Sequence, residues 1–178
     1  MPRSHSDVQT QFTAAYRQEF SYVWKTLSRL GARPTAQEDL AHDVFATAFR
    51  HWESYDSARP LRPWLFGIAY RVVLDWKRKA QNTRESASDS IELTDSAPSS
   101  EEKVSREQGL ALARGAIEAL EIDRRAVFIM HELDEQPMPE VAEALAIPLN
   151  TAYSRLRLAR RDFNARVAAL QESRGGAR

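Results

Sequence analysis

Residues 141–161 read VAEALAIPLNTAYSRLRLARR. A short apolar-patterned piece (Val141, Ala142, Leu145) leads to a break at Ala146, Ile147 and Pro148, and then to a long arginine-rich run ending near Leu170. Proline suits the first turn of a helix, where an N–H would have no intrahelical partner. Short helix, turn and long basic helix is the order of a helix-turn-helix, whose second helix enters the major groove of DNA. On a helical wheel Ala152, Leu156, Ala159 and Phe163 form the buried arc of the long helix. The opposite arc is Asn150, Ser154, Arg157 and Arg161, flanked by Tyr153 and Leu158.

Arginine can make two hydrogen bonds to guanine in the major groove, and asparagine two to adenine, so this arc has the chemistry of direct readout. Arg155 and Arg160 stand off the central arc and suit phosphates. The unpaired N–H groups of the first turn, near Asn150 and Thr151, offer a further phosphate site. Leu158 has two contacts open to it, a thymine methyl or the domain interior. A charged helix face can also be merely solvated; here turn, period and charge all agree on DNA.

Working back toward the N-terminus, helical patterning covers 104–120 and resumes at Asp123, a residue type suited to an N-cap, through Leu133, with breaks at Pro137 and Pro139. Residues 80–103, AQNTRESASDSIELTDSAPSSEEK, have little that is apolar and no period, which predicts a flexible acidic linker. Before it, three helices are expected. The first covers 11–30 (Phe12, Ala15, Tyr16, Phe20, Val23, Leu27, Leu30) and stops at Gly31. The second opens on a capping box of Thr35 and Glu38. Its apolar stripe is Leu40, Ala41, Val44, Phe45, Ala48, Phe49 and Trp52, opposite a polar face of Glu38, Asp39, His42 and Asp43. After a loop, Glu53 to Arg62, the third helix spans about 64–79 with Leu65, Ile68, Ala69, Val72 and Trp76 toward the core.

The arc opposite that core holds Tyr70, Arg71, Leu74 and Arg78, with Lys77 at its edge. An aromatic ring beside cations is what holds unstacked bases and their backbone. Packing on another helix is the competing use for Tyr70 and Leu74. The expected fold is all-α: two small helical domains, 8–79 and 104–170, joined by the flexible acidic linker 80–103, with a disordered tail at 171–178.

Net charge is zero, yet charge is segregated. Residues 70–84 carry five basic side chains against Asp75 alone, 149–178 carry seven arginines against Asp162 and Glu172, and 85–147 are mainly acidic. The chain has no cysteine, which excludes disulfides and thiolate zinc sites. No apolar run approaches the roughly 20 residues that span a bilayer, and the first residues lack the apolar core of a signal peptide, so a cytosolic protein is expected without membrane insertion. His5, His42, His51 and His131 have no metal-ligand spacing and no nearby nucleophile, and no glycine-rich phosphate loop occurs. Catalysis, metal and cofactors are therefore not expected.

Three motifs occur in order: QEDLAHDVFATAFR, then PLRPWLFGIAYRVVLDWKRK, then VAEALAIPLNTAYSRLRLARR. Together they resemble the extracytoplasmic-function sigma factors of the sigma-70 family, over residues 11–79 and 108–167. The resemblance implies a bacterial transcription initiation factor whose partners are core RNA polymerase, through the β′ clamp helices and the β flap, and promoter DNA; it also allows an anti-sigma factor. By position, Asp39, His42 and Asp43 would meet the clamp helices. Tyr70, Arg71, Lys77 and Arg78 would meet the −10 element. Asn150, Thr151, Tyr153, Ser154, Arg155, Arg157, Arg160 and Arg161 would meet the −35 element. The sequence departs from its relatives where they commonly have GTVKSRL or GTVRSRL: here it is NTAYSRL, with Asn150 for glycine and Tyr153 for a basic residue. Ala146 likewise replaces a turn glycine, Pro137 a hydroxyl cap, and Arg71 an asparagine. These changes leave fold and general function intact and make the promoter sequence this chain's own.

The competing reading is a helix-turn-helix regulator acting without polymerase, for which the C-terminal half would suffice and the N-terminal half would be unexplained. Such regulators usually dimerise on spaced half-sites. A third, a sigma antagonist, predicts no DNA binding.

Overall fold

The computed structural model describes residues 5–84 and 101–175, and among these every regular element is helical. In order they are α1 (His5–Arg29), α2 (Gln37–Arg50), α3 (Leu61–Arg84), α4 (Glu101–Glu118), α5 (Ile122–Phe128), α6 (Met138–Ala144) and α7 (Leu149–Gly175). Short 3-10 turns occur at Pro34–Ala36 and Trp52–Ser54, and α5 runs on through a wide π turn at Ile129–Leu133. Helix α3 thus continues past residue 79 and α4 begins before 104. The middle of the expected linker lies outside the described residues. So does the tail beyond Gly175, while α7 extends past residue 170.

Helix α1 ends as its sequence predicts. Gly31 takes φ 89°, and the N–H groups of Gly31 and Ala32 bond back to the carbonyls of Ser28 and Leu27 at 2.9 and 3.0 Å. That left-handed position is one where glycine carries no Cβ penalty. The start of α2 differs from expectation: the capping box does not form. Residues Pro34–Ala36 make a 3-10 turn, and the N-cap is Ala36, without a side-chain bond. Gln37 instead turns inward and donates from Nε2 to the Trp24 carbonyl at 2.7 Å.

Helices α1, α2 and α3 pack around Val23, Leu27, Leu30, Leu40, Val44, Phe45, Leu65 and Phe66. In the C-terminal half, α7 buries Ala152, Leu156 and Ala159, the predicted arc, and Phe163 stacks on Phe128 at 5.0 Å. Apolar burial is not confined to each half, however. One continuous cluster runs from Leu27 and Val73 on to Val127, Met130, Met138, Val141 and Leu145. The two units are docked on each other, with α3 against α6.

Docking explains why the core side of α3 is wider than its wheel suggested. Phe66, Tyr70 and Val73 are buried along with the predicted Leu65, Ile68 and Ala69, while Val72 and Trp76 are only partly covered. Position 123 is a further correction. The N-cap of α5 is Glu121, whose carboxylate accepts from the N–H groups of Asp123 and Arg124. Asp123 is left free to face other partners.

The turn of the helix-turn-helix closes by the same device as α1. The N–H groups of Ala146 and Ile147 bond to the carbonyls of Glu143 and Ala142 at 3.0 and 2.9 Å, with Ala146 at φ 54°. Here an alanine occupies the left-handed position that favours glycine. Relief of its Cβ strain outweighs the entropy glycine loses, so Ala146→Gly should stabilise the fold by about 0.5–1 kcal/mol, read as a higher denaturation midpoint at unchanged m. A lower midpoint would contradict the strain assigned to this turn.

Candidate nucleic-acid interface

The expected −35 face lies on α7. Asn150, Tyr153, Ser154, Arg157, Arg160 and Arg161 are exposed, and Thr151 and Arg155 are half-buried. Their freedom differs. Arg157 has no ion-pair partner among the described residues. Arg160 is paired with Glu132 at 2.6 Å, and Arg161 lies beside Asp162 at 2.8 Å. Hydrogen bonds from Arg161 and Arg124 hold the Asp162 carboxyl below its ordinary range. Ser154 donates its hydroxyl back to the Thr151 carbonyl at 2.9 Å, a local bond that a base would have to replace. Leu158 is half-buried.

Arg155, expected at a phosphate, is directed into the molecule, where Nη2 meets Asp123 Oδ2 at 2.5 Å. Across the interface Tyr70 donates its hydroxyl to the other oxygen, Asp123 Oδ1, at 2.5 Å. Burial, reinforced by Asp123, raises the Tyr70 pKa, so its hydroxyl stays a donor. One carboxylate therefore binds a residue expected at −10 and a residue expected at −35. Tyr70 is buried rather than presented, because the second domain lies over this point of α3, while Arg71 and Arg78 on the same arc stay exposed.

The other −10 candidates fare unequally. Arg71 is exposed at the domain boundary and donates to the Ala144 carbonyl at 3.4 Å. Lys77 is half-buried, and burial, followed by the neighbouring Arg125 charge, lowers its pKa. Arg78 is exposed and pairs with Asp75 at 2.6 Å. Asp39, His42 and Asp43, expected at polymerase, all lie on the exposed face of α2. His131 is a packing residue, its Nδ1 2.9 Å from the Gln136 carbonyl oxygen. Among the described residues no cluster of side chains suits a metal ion.

Sequence reasoning missed the residues that hold the halves together. Gly67 is central: a Cβ there would lie 2.2 Å from the Ala144 carbonyl oxygen, so α3 and the end of α6 meet only because residue 67 has no side chain. A glycine inside an apolar helical stretch, which costs about 1 kcal/mol against alanine, was the available signal. Elsewhere between the halves, Asp134 accepts from Tyr22 at 2.9 Å and Arg29 at 3.1 Å, and Arg59 pairs with Glu143. Arg125 is buried between the halves, donating to the carbonyls of Leu120 and Glu118 beside Gly31.

Comparison with known proteins gives these surfaces their context. Residues 15–83 match the sigma-70 region 2 model and residues 110–163 the sigma-70 region 4 model, together more than half of the chain. The chain is an extracytoplasmic-function sigma factor of the sigma-70 family. Among its relatives is the RNA polymerase sigma factor NccH of Alcaligenes xylosoxydans xylosoxydans, 29% identical over 140 residues, 76% of this chain and 73% of that one. Another is the ECF RNA polymerase sigma factor SigL of Mycobacterium tuberculosis, 28% identical over 151 residues, 82% of each. The fold is that of two solved sigma factors. RpoE, in complex with the anti-sigma factor NepR from Bartonella quintana, gives a TM-score of 0.70 at 18% identity over 89% of this chain and 97% of that one. CnrH, in complex with the cytosolic domain of CnrY, gives 0.62 at 20% over 93% and 90%.

This sigma factor binds core RNA polymerase and directs promoter-specific initiation. Sigma factors are initiation factors rather than enzymes. The reading as a polymerase-independent regulator is not favoured, since region 2 accounts for the N-terminal half. Gly67→Ala should favour α3 on helix propensity while denying α6 its seat, so the variant should show a larger radius of gyration with the helical content retained. An unchanged radius would refute the close approach at Gly67.

Proposed function

We propose the following division of labour within this sigma factor. Helix α7 docks in the −35 major groove through Asn150, Thr151, Tyr153, Ser154, Arg157 and Arg161, with Arg155 and Arg160 toward phosphates. Residues 53–79 engage the −10 DNA through Tyr70, Arg71, Lys77 and Arg78, and Asp39, His42 and Asp43 seat α2 on the β′ clamp helices, with the second domain at the β flap. The observation that carries this reading is the exposed polar arc at the start of α7, on a helix whose opposite side buries Ala152, Leu156 and Ala159. It acts where polymerase acts, in the bacterial cytoplasm; among the described residues no helix is long and apolar enough to cross a membrane.

The docked arrangement is the resting form of the free chain. Tyr70 cannot reach DNA while it is buried on Asp123 of the second domain, so −10 binding requires the halves to separate, and polymerase supplies the two distant seats that separate them; Arg155 and Asp123 lie within one domain, and there a phosphate takes the carboxylate's place. An anti-sigma factor fits the same scheme as a protein that keeps the seats covered; the RpoE structure cited above has such a partner, NepR, bound.

Run-off transcription with purified core polymerase and genomic fragments should yield discrete transcripts that depend on this protein. With no transcript and no core binding, the reading fails. Asp39→Lys with Asp43→Lys should weaken core binding while leaving the helical signal intact; unchanged core binding would move the polymerase contact elsewhere. Arg157→Ala should cost roughly 1–3 kcal/mol at one base position in a competition assay, and an unchanged base preference would remove Arg157 from readout.

A further inference from the structure

Two large apolar side chains stand in the open at the start of the recognition helix. Leu149 is 41% exposed and Tyr153 52% exposed, and neither belongs to an apolar cluster of the fold. Four residues apart on one helix, they lie one above the other on the same face. Their neighbours on that face are Asn150, Ser154 and Arg157, all exposed. The first turns of a recognition helix are the part that meets base edges. The family's usual residue at position 153 is a cation, which a phosphate or guanine would suit; a leucine suits neither, and the face of a phenol ring beside it is apolar.

The major-groove edge of a base pair offers one apolar group, the C5-methyl of thymine. Resting on the −35 assignment of α7 made above, we propose that Leu149 and Tyr153 form an apolar clasp that selects a thymine by its methyl group. Arg157 follows Tyr153 by one further turn, about 6 Å along the helix axis at 1.5 Å per residue. Stacked base pairs are about 3.4 Å apart. The selected thymine therefore lies within about two base steps of the guanine read by Arg157. The phenol ring supplies the methyl contact, and its hydroxyl is not needed for the selection.

The test uses −35 duplexes selected by the reconstituted polymerase holoenzyme from a pool randomised over that element. In the selected sequence the thymine near the Arg157 guanine is replaced by uracil, which removes the methyl group and keeps the pairing edge. Loss of one buried methyl should weaken binding about fourfold. Tyr153→Phe should keep that sensitivity, and Leu149→Ala with Tyr153→Ala should abolish it; both positions are exposed, so folding is not at stake. A uracil effect of equal size in the double-alanine variant would assign the methyl's role to DNA shape and overturn the clasp. Selection of duplexes with no thymine near that guanine would overturn it too. Failure of the holoenzyme to select any duplex would instead bring down the −35 assignment, and the clasp with it.

Discussion

The two halves of this protein meet backbone to backbone at Gly67 and Ala144, where a Cβ on residue 67 would lie 2.2 Å from the Ala144 carbonyl oxygen. Everything at the boundary is set by that distance. With α3 and α6 this near, Tyr70 falls on Asp123, Arg71 on the Ala144 carbonyl, and Arg59 on Glu143. Burial of Phe66, Val73, Met138 and Val141 follows from the same approach and supplies the non-directional part of the attraction. A glycine in the middle of α3 weakens the helix, so its presence is an expense justified only by what the second domain gains from it.

Electrostatics give the boundary its direction. The chain is neutral overall, and several of its arginines meet carboxylates of their own molecule: Arg124 with Asp162, Arg155 with Asp123, Arg160 with Glu132. An exposed pair such as Arg160 with Glu132 contributes about 0–1 kcal/mol, so a phosphate can replace that carboxylate at little cost. Asp123 is different in that it holds donors from two domains at once: parting the halves releases Tyr70, while Arg155 stays with Asp123 inside the second domain. A neutral chain whose cations are paired internally has little long-range pull on DNA, which leaves target finding to the polymerase that carries it.

The parts legible in the sequence were those decided by local periodicity. The buried arc of α7, the glycine stop of α1, the polar face of α2 and the two helical units all followed from spacing and composition. The capping box at Thr35 and Glu38 failed because Pro34 drew the chain into a 3-10 turn first. Asp123 was read as a cap because Asp is a good one; only the fold shows that Glu121 takes that role and frees Asp123 for Tyr70 and Arg155. Tyr70, Arg71 and Lys77 lie on the side of α3 that a single helical wheel sets opposite the core, where packing on another helix was the competing use for Tyr70 and is the one the structure shows. No local pattern could show that another domain rests there, since that contact joins residues far apart along the chain. The exposure of Leu149, by contrast, needed the path of the turn at Ala146.

The claim on which the rest depends is that the free chain is closed and that work at a promoter opens it. Because the protein has no cysteine of its own, a pair introduced at the exposed positions Arg17 and Asn164 can carry spin labels at one site in each half. The distance distribution should be a single narrow peak in the free protein, replaced by a longer separation once core polymerase and promoter DNA are bound. A broad distribution in the free protein, or the same narrow peak in the initiation complex, would contradict the account.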